Sequence, residues 1–356
     1  LDSGAIVLMS PLGFSATGEA FNLTMEDVAS RSAIELNADK LIFLTELDGW
    51  ITEAPEKIEL WGGEPFLYWA KIKRLIPALS ERFPGAQFLV ITNGSLLDTE
   101  KLDFIARYDI CVGISHAGPG QHLRGPDPLD DPEKSRRIKA LLAQRPGKTS
   151  FNAVLTRDHH DLRALKAWFA DKVGPDVSVG LEGVVNVYDA ATAIGTGRFE
   201  PAELNSLTWS LFEALVEDPN AFGLGERVNE FYKSITRRRP IEALGQKCGM
   251  DREDTIAVDL RGNVMTCQNT GAKGVHKIGH VGDFDAIALD TATHFAFRPE
   301  CMACPVVQLC KGSCMFLEGD FFAQSCANEF AFNMGIMMAA VWHLTGTVVV
   351  GISPQI

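Results

Sequence analysis

Of the eight cysteines in the chain, all but Cys111 lie after residue 247, and their spacing is that of metal ligands rather than of a disulfide framework. They read Cys248, Cys267, Cys301-x2-Cys304-x5-Cys310-x3-Cys314 and Cys326. A Cys-x2-Cys pair brings two thiolates to one centre from a single turn, and further thiolates must arrive from loops that fold back on it. One tetrahedral zinc takes about four of them and leaves the rest idle, whereas two iron–sulfur clusters use them all with one position left for another ligand. Spacing alone leaves both open, a zinc ribbon with spare thiols or a pair of clusters. Cys111 stands in the apolar run 110–114 and is expected to be a small buried core residue.

The elements that would carry these ligands are short. Thr255 to Cys267 alternates, turns at Arg261-Gly262-Asn263 and returns through Val264 and Met265, a hairpin that delivers Cys267 to a cluster lip. Upstream the pattern changes. Strand-like runs at 57–61, 87–92, 110–115, 149–155 and 177–187 alternate with helical stretches at 67–82, 98–107, 132–144 and 160–172, the order of a parallel α/β barrel or sheet. In such folds chemistry sits at the carboxyl ends of the strands. There the chain carries Gly62-Gly63-Glu64-Pro65, then Thr92-Asn93-Gly94, then Ser115-His116-Ala117-Gly118-Pro119 with Arg124-Gly125 downstream. Two glycines bare backbone amides to a ligand, and the carboxylate beside them accepts from an amino group. Glu182 and Asn186 are polar points in the last strand and fit either the barrel mouth or the outer face. His159-His160 reads as a solvated loop after Asp158, which fits a helix cap, and His276 and His280, flanked by Gly274 and Gly279, read as loop. Arg237-Arg238-Arg239-Pro240 marks a linker.

Counted from its first member, the late pattern is Cys248-x13-Gly262-x4-Cys267, a gap, Cys301-x2-Cys304-x5-Cys310-x3-Cys314, a gap and Cys326. It closely resembles the SPASM domain, the auxiliary-cluster extension of many radical S-adenosylmethionine enzymes that modify peptides or proteins. That resemblance implies one 4Fe-4S cluster on Cys301, Cys304, Cys310 and Cys326, and a second on Cys248, Cys267 and Cys314 with a fourth ligand of another kind. The strand-end motifs resemble the barrel of the same family from its second strand to its sixth. By that likeness Gly62 and Gly63 border the S-adenosylmethionine site, Glu64 takes the methionine amino group, Ser115 and Arg124 reach its ribose or carboxylate, and Asn93 lies on the same rim. Ala117 stands where family members commonly carry an aspartate. The family's Cys-x3-Cys-x2-Cys motif, which holds the cluster that cleaves the cofactor, is absent, since no cysteine precedes Cys111. No catalytic residue is assigned. Implied partners are a peptide or protein substrate and an electron donor such as a flavodoxin or ferredoxin. A non-catalytic iron–sulfur relay or peptide-binding protein uses the same cysteines and needs no such motif.

Residues 1–50 carry something else: Ile6 to Met9 as a strand, Ser10 to Thr17 as a turn-rich loop, and Thr24 with Asp27 as a helix start. The segment resembles a late part of an amino-acid kinase, as in acetylglutamate kinases and N-acetylglutamate synthases, through Asn22, Asp27, Lys40, Leu44, Thr45 and Gly49. A fragment of that size has no core of its own. The chain is therefore expected to join a kinase-like β-α-β fragment (1–50) to a partial radical S-adenosylmethionine barrel (51–236), a SPASM-type domain (237–330) and a C-terminal helix and tail (331–356), α/β in class throughout.

The remaining composition sets bounds. A net charge of −13 repels phosphate backbones and anionic lipid, which argues against a nucleic-acid or membrane-surface role. With 46% hydrophobic and 22% charged residues the chain is globular rather than disordered. No basic, apolar leader opens it, so a cytoplasmic location is expected, and Phe330 to Ile356, which has no acidic residue, lysine or arginine, fits a buried terminal helix better than a membrane span.

Overall fold

The structure is a computed structural model that describes residues 12–14, 20–22, 55–184, 197–238, 247, 255–259, 261–267, 269–272, 274–283, 286–288 and 295–351. Asp27, Lys40, Leu44, Thr45, Gly49, Asn186, Arg239, Pro240 and Cys248 lie outside them. The chain divides into two units, Leu1–Glu53 and Ala54–Ile356. In the first, β1 (Leu12–Phe14) and β2 (Ala20–Asn22) pair antiparallel with Leu12 opposite Asn22, so part of the expected 10–17 loop is a strand. Leu12-Gly13-Phe14 alternates apolar side chains about a glycine, which suits a strand as well as a turn.

The second unit is built on a parallel sheet of β3 (Lys57–Leu60), β4 (Gln87–Thr92), β5 (Cys111–Ser115), β6 (Thr149–Leu155) and β7 (Val179–Val184), joined in chain order. Between them run α1 (Trp69–Arg82), α2 (Thr99–Arg107), α3 (Pro132–Gln144) and α4 (Leu162–Lys172). Right-handed crossovers in sequential order put every connecting helix on the same face. The strands show it by alternation: Phe151, Ala153 and Leu155 are fully buried, whereas Ser150, Asn152 and Val154 between them are half-exposed. The helices start where short polar side chains take up free N–H groups. Asp98 accepts from Lys101 N–H at 2.9 Å, Asp131 from Glu133 and Lys134, and Asp161 from Ala164 at 3.0 Å. The cap of α4 is therefore Asp161, three residues beyond the expected Asp158, and a shift of that size preserves the local cap chemistry.

Beyond the sheet come α5 (Pro201–Glu217), opened by a Glu200/Glu203 capping box, and α6 (Gly225–Arg237). β8 (Ala257–Val258), β9 (Asn263–Met265) and β10 (Lys277–His280) form an antiparallel sheet. The expected hairpin turn is there, with Gly262 at φ 84° and Asp259 Oδ1 accepting from Arg261 and Asn263 N–H. His280 belongs to β10 and not to a loop. Its Nε2 meets Arg261 O and its Nδ1 accepts from Gly282 N–H, while His276 Nδ1 meets Thr266 Oγ1, so local hydrogen bonds occupy both rings. Short α7 (Pro299–Met302) and α8 (Val307–Cys310) precede α9 (Gly319–Thr345), which Gly346 closes at φ 68°. The run from Met334 to Ala340 is buried on all sides, and α9 and α5 approach closely. At Gly335 a Cβ would fall 2.6 Å from Leu211 Cβ and from Thr208 O, and Thr208 Oγ1 donates to Ala331 O at 3.0 Å. Among the described residues no helix is long and apolar enough to cross a membrane.

Candidate functional site

Parallel register decides which strand-end residues stand side by side. Leu60 pairs with Val90, Thr92 with Ile114, Ser115 with Asn152 and Asn152 with Gly180. Ser115 and Asn152 thus stand side by side, and Asn93, one step past the end of β4, continues that row in register with Ser115, on the face the helices leave open. Glu182 extends that row by an irregularity. Leu181 pairs with Ala153 and Gly183 with Val154, so Glu182 is the extra residue of a β-bulge, with Gly183 at φ 146°. Bulges turn a side chain out of the strand's normal phase. Asn152 Nδ2 donates to Glu182 Oε1 at 3.3 Å. Burial raises the Glu182 carboxyl above its ordinary range, against the pull of Asn152 and Arg124. Glu182 thus stands on the same face of the sheet as Asn152.

Glu64 is buried and brackets two turns. Its Oε1 accepts from Phe66 N–H at 3.1 Å and its Oε2 from Asn93 N–H at 2.8 Å, and Thr92 Oγ1 donates to the same carboxylate at 2.8 Å. Roughly three donors on about four lone-pair positions leave one position open to a ligand N–H. Gly62 and Gly63, at φ 93° and 53°, have nothing within 4 Å of where a Cβ would stand, so the turn borders open space on that side. Arg124 Nη1 donates to Ser115 Oγ at 2.9 Å. Asn93 turns inward, its Oδ1 accepting from Ser95 N–H at 2.8 Å. Cys111 is half-buried on the open face rather than sealed in the core, because its strand phase is that of Gly113 and Ser115. The sequence motifs do not mark Asn152, although Ser150 and Asn152 alternating with Phe151 and Ala153 is the signal that finds it.

The cysteines gather by a different route. Cys301, Cys304, Cys310 and Cys326 line one pocket with Val306 and Phe322. Burial, then the neighbouring Cys326 and Cys304, pushes the Cys301 thiol up to about 11, and burial pushes Cys310 up to about 12. A metal cluster supplies the positive charge that reverses this preference for the thiol form. The turn from Cys310 to Cys314 is left-handed at three successive residues, Lys311, Gly312 and Ser313 (φ 49°, 73° and 59°). Such backbone is strained for residues with a Cβ and persists where surroundings over-determine it. Here Ser313 Oγ and Ser325 Oγ share a hydrogen bond of 2.8 Å, and a Cβ at Gly312 would lie 2.2 Å from Phe295 Cβ. Cys314 packs beside Cys301, while Cys267 packs with Ala257 and Met315 and its Sγ accepts from Asn269 N–H at 3.3 Å. Among the described residues no three His, Cys, Asp or Glu side chains stand close enough for a single metal ion. A thiol set spaced around a pocket fits a polynuclear cluster in its donor chemistry. Next to the pocket, Glu329 is buried and ion-paired with Lys247, and accepts from Asn333 Nδ2 at 3.0 Å. Burial alone would raise that carboxyl, but Lys247, Arg227 and Asn333 hold it below its usual range.

A model of the amino acid kinase family matches residues 1–60. The amino-acid acetyltransferase of Ralstonia nicotianae is 65% identical over 49 residues, which are 14% of this chain and 11% of that protein. That of Pseudomonas putida is 69% identical over 42 residues, 12% of this chain and 10% of the relative. The chain thus spans about a tenth of the length of these curated relatives. Among solved structures, anSMEcpe with bound AdoMet superposes at a TM-score of 0.58 with 17% identity, covering 92% of this chain and 89% of that one. The same protein with bound AdoMet and Kp18Cys peptide gives 0.56 and 16%, covering 91% and 92%. At such identities the likeness is one of fold, and the fold is of the α/β class, with a parallel sheet, expected from the alternation of strands and helices.

Proposed function

We propose that the chain is an S-adenosylmethionine-binding iron–sulfur protein of the radical S-adenosylmethionine/SPASM kind, related to peptide or protein maturases. The observation that carries this reading is the convergence of Cys301, Cys304, Cys310 and Cys326 on one pocket, downstream of a sheet whose strand ends carry Glu64, Ser115 and Arg124. The solved structures that share the fold hold AdoMet, and two of them hold a peptide as well. Bound clusters would supply one-electron redox chemistry, and S-adenosylmethionine would supply an electrophilic sulfonium.

The chain's own residues bind and orient. Glu64 offers its open lone pair to the amino group of the methionine moiety, and Gly62 and Gly63 border the same space. Arg124, held on Ser115, meets the carboxylate or ribose, and Asn93 and Asn152 line the floor between them. Cys301, Cys304, Cys310 and Cys326 hold one auxiliary 4Fe-4S cluster, and Cys248, Cys267 and Cys314 a second. A flavodoxin or ferredoxin is the class of electron donor that serves such clusters, and thiols kept reduced suit the cytoplasm. No Cys-x3-Cys-x2-Cys set stands in these residues to hold a third cluster, so the reading extends to binding of cofactor, clusters and peptide, and turnover belongs to relatives that carry that set.

Iron and acid-labile sulfide per chain after anaerobic reconstitution, with 5′-deoxyadenosine assayed under strong reductant in the same sample, tests this. About eight irons without deoxyadenosine is the expected result. About twelve irons with deoxyadenosine reveals a further ligand set and a working enzyme, and about one zinc with no iron removes the reading in favour of a ribbon.

A second reading attaches to residues 1–60 alone, because of their match to the amino acid kinase family. It makes them a fragment of an N-acetylglutamate synthase or amino-acid kinase relative joined to an unrelated barrel. Binding of arginine or ATP by the full chain would favour a retained role for that fragment.

A further inference from the structure

His116 follows Ser115 at the end of β5 and has no exposed surface. Its ring meets Phe151 and Phe169 edge-on and Trp168 at a tilt, with centroids 5.3 to 5.7 Å away. Both ring nitrogens are used. Nδ1 accepts from Gly118 N–H at 3.0 Å and so carries no proton. Nε2 therefore carries it and donates to Asp127 Oδ1 at 2.9 Å, an oxygen that also accepts from Leu129 N–H at 2.8 Å. One neutral imidazole thus ties the start of the loop to its end.

Between those ties the chain has little freedom. Gly118 sits at φ 60°, and a Cβ there would fall 2.4 Å from Leu165 Cδ1, so the loop is pressed onto α4. Ala117 N–H donates to Gln121 Oε1, and Gln121 O accepts from Arg124 and Gly125 N–H. Lys172 of α4 pairs with Asp130 at 2.7 Å. Arg124 itself is exposed, so burial does not aim its side chain, yet its guanidinium reaches back to Ser115 at 2.9 Å.

We infer that His116 and Asp127 are positioning residues that fix the 116–127 loop so that Arg124 is presented beside Ser115 at the cofactor site. The inference rests on the cofactor reading above. It explains why a polar ring occupies an aromatic core position: phenylalanine fills the volume but makes neither hydrogen bond.

The test is a double-mutant cycle on the full chain, with S-adenosylmethionine binding read by titration calorimetry. His116→Phe and Arg124→Ala are each expected to weaken binding about 10-fold, and the double variant no further, since both remove one presented guanidinium. Asp127→Leu should match them, whereas Asp127→Asn, which keeps an acceptor oxygen in place, should bind within about 3-fold of the wild type. Amide exchange without ligand supplies a second arm. Gly118, Arg124 and Gly125 should exchange faster in His116→Phe while β4 and α1 are unchanged. Wild-type affinity in His116→Phe, or losses that multiply to about 100-fold in the double variant, overturns the inference. Unchanged exchange in the loop does the same. Wild-type protein that takes up no S-adenosylmethionine overturns the cofactor reading instead, and the exchange arm then decides whether the pair sets the loop.

Discussion

The strand ends and the cysteine pocket are both candidate sites, but they are built by opposite means. The first hangs on parallel hydrogen-bonded register: neighbouring strands set Asn93, Ser115 and Asn152 side by side, and a core containing Val90, Ile114 and Phe151 backs them. The second hangs on turns. Its cysteines come from α7, α8, α9 and the loops between them, and its tightest turn runs through left-handed residues. A small apolar cluster around Phe295, Val307 and Phe322 packs beside it, while Val306 and Cys310 of its lining belong to the main core. The lesson is that a sheet can pre-form a binding site, whereas a loop-built thiol set leaves much of its ordering to the metal.

The contrast is most exposed to metal removal. Chelating the reconstituted protein should speed amide exchange across 295–318 by about 100-fold or more, which is about 2.7 kcal/mol, and leave 87–155 unchanged. Equal acceleration in both would show that the pocket is not metal-ordered. Phe151→Ala works from the other side. It empties a fully buried position of the sheet core and should lower stability by about 3–5 kcal/mol in denaturant unfolding, with iron uptake per folded chain unaltered. Smaller is a pH effect. Burial holds the His116 imidazole below its ordinary value of 6.5, against Asp127 and Asp130 and with Arg124. The unfolded chain takes up a proton as pH falls through that value and the native site does not, so this stability is present above about 6.5 and declines as pH drops below it. The melting temperature should fall more steeply from pH 7 to pH 5 in the wild type than in His116→Phe. Smallest is Asp161→Ala, which removes the cap of α4 at about 1 kcal/mol and should leave cofactor and iron binding untouched.

The two sites also differ in how far the amino-acid sequence reveals them. Alternation of apolar residues places β3 to β7 and the helices between them to within a few residues, because each strand buries one face against helices. Glu182 defeats the same logic, since a bulge breaks the period of two that assigns faces. Asp158 and Asp161 are both competent caps, but Asp158 lies in the turn closed by the Thr156–His159 bridge, which leaves Asp161 to open the helix. The His116–Asp127 tie is invisible because it joins residues eleven apart across an irregular loop. The cysteine pattern is the reverse case: spacing points to the pocket, yet nothing in it indicates the left-handed turn at 311–313 or the buried Lys247–Glu329 pair.

The strand order carries a further consequence. Because β3 to β7 are joined in chain order, each strand depends for its hydrogen bonds on its immediate neighbours alone, and among the described residues β3 ends the series. A sheet wound outward from a central first strand would be split by exchange of its opening unit. This one would keep every pairing from Lys57 onward. The topology is therefore tolerant of recombination at its start, which is where the residues that match the amino acid kinase model give way to the parallel sheet.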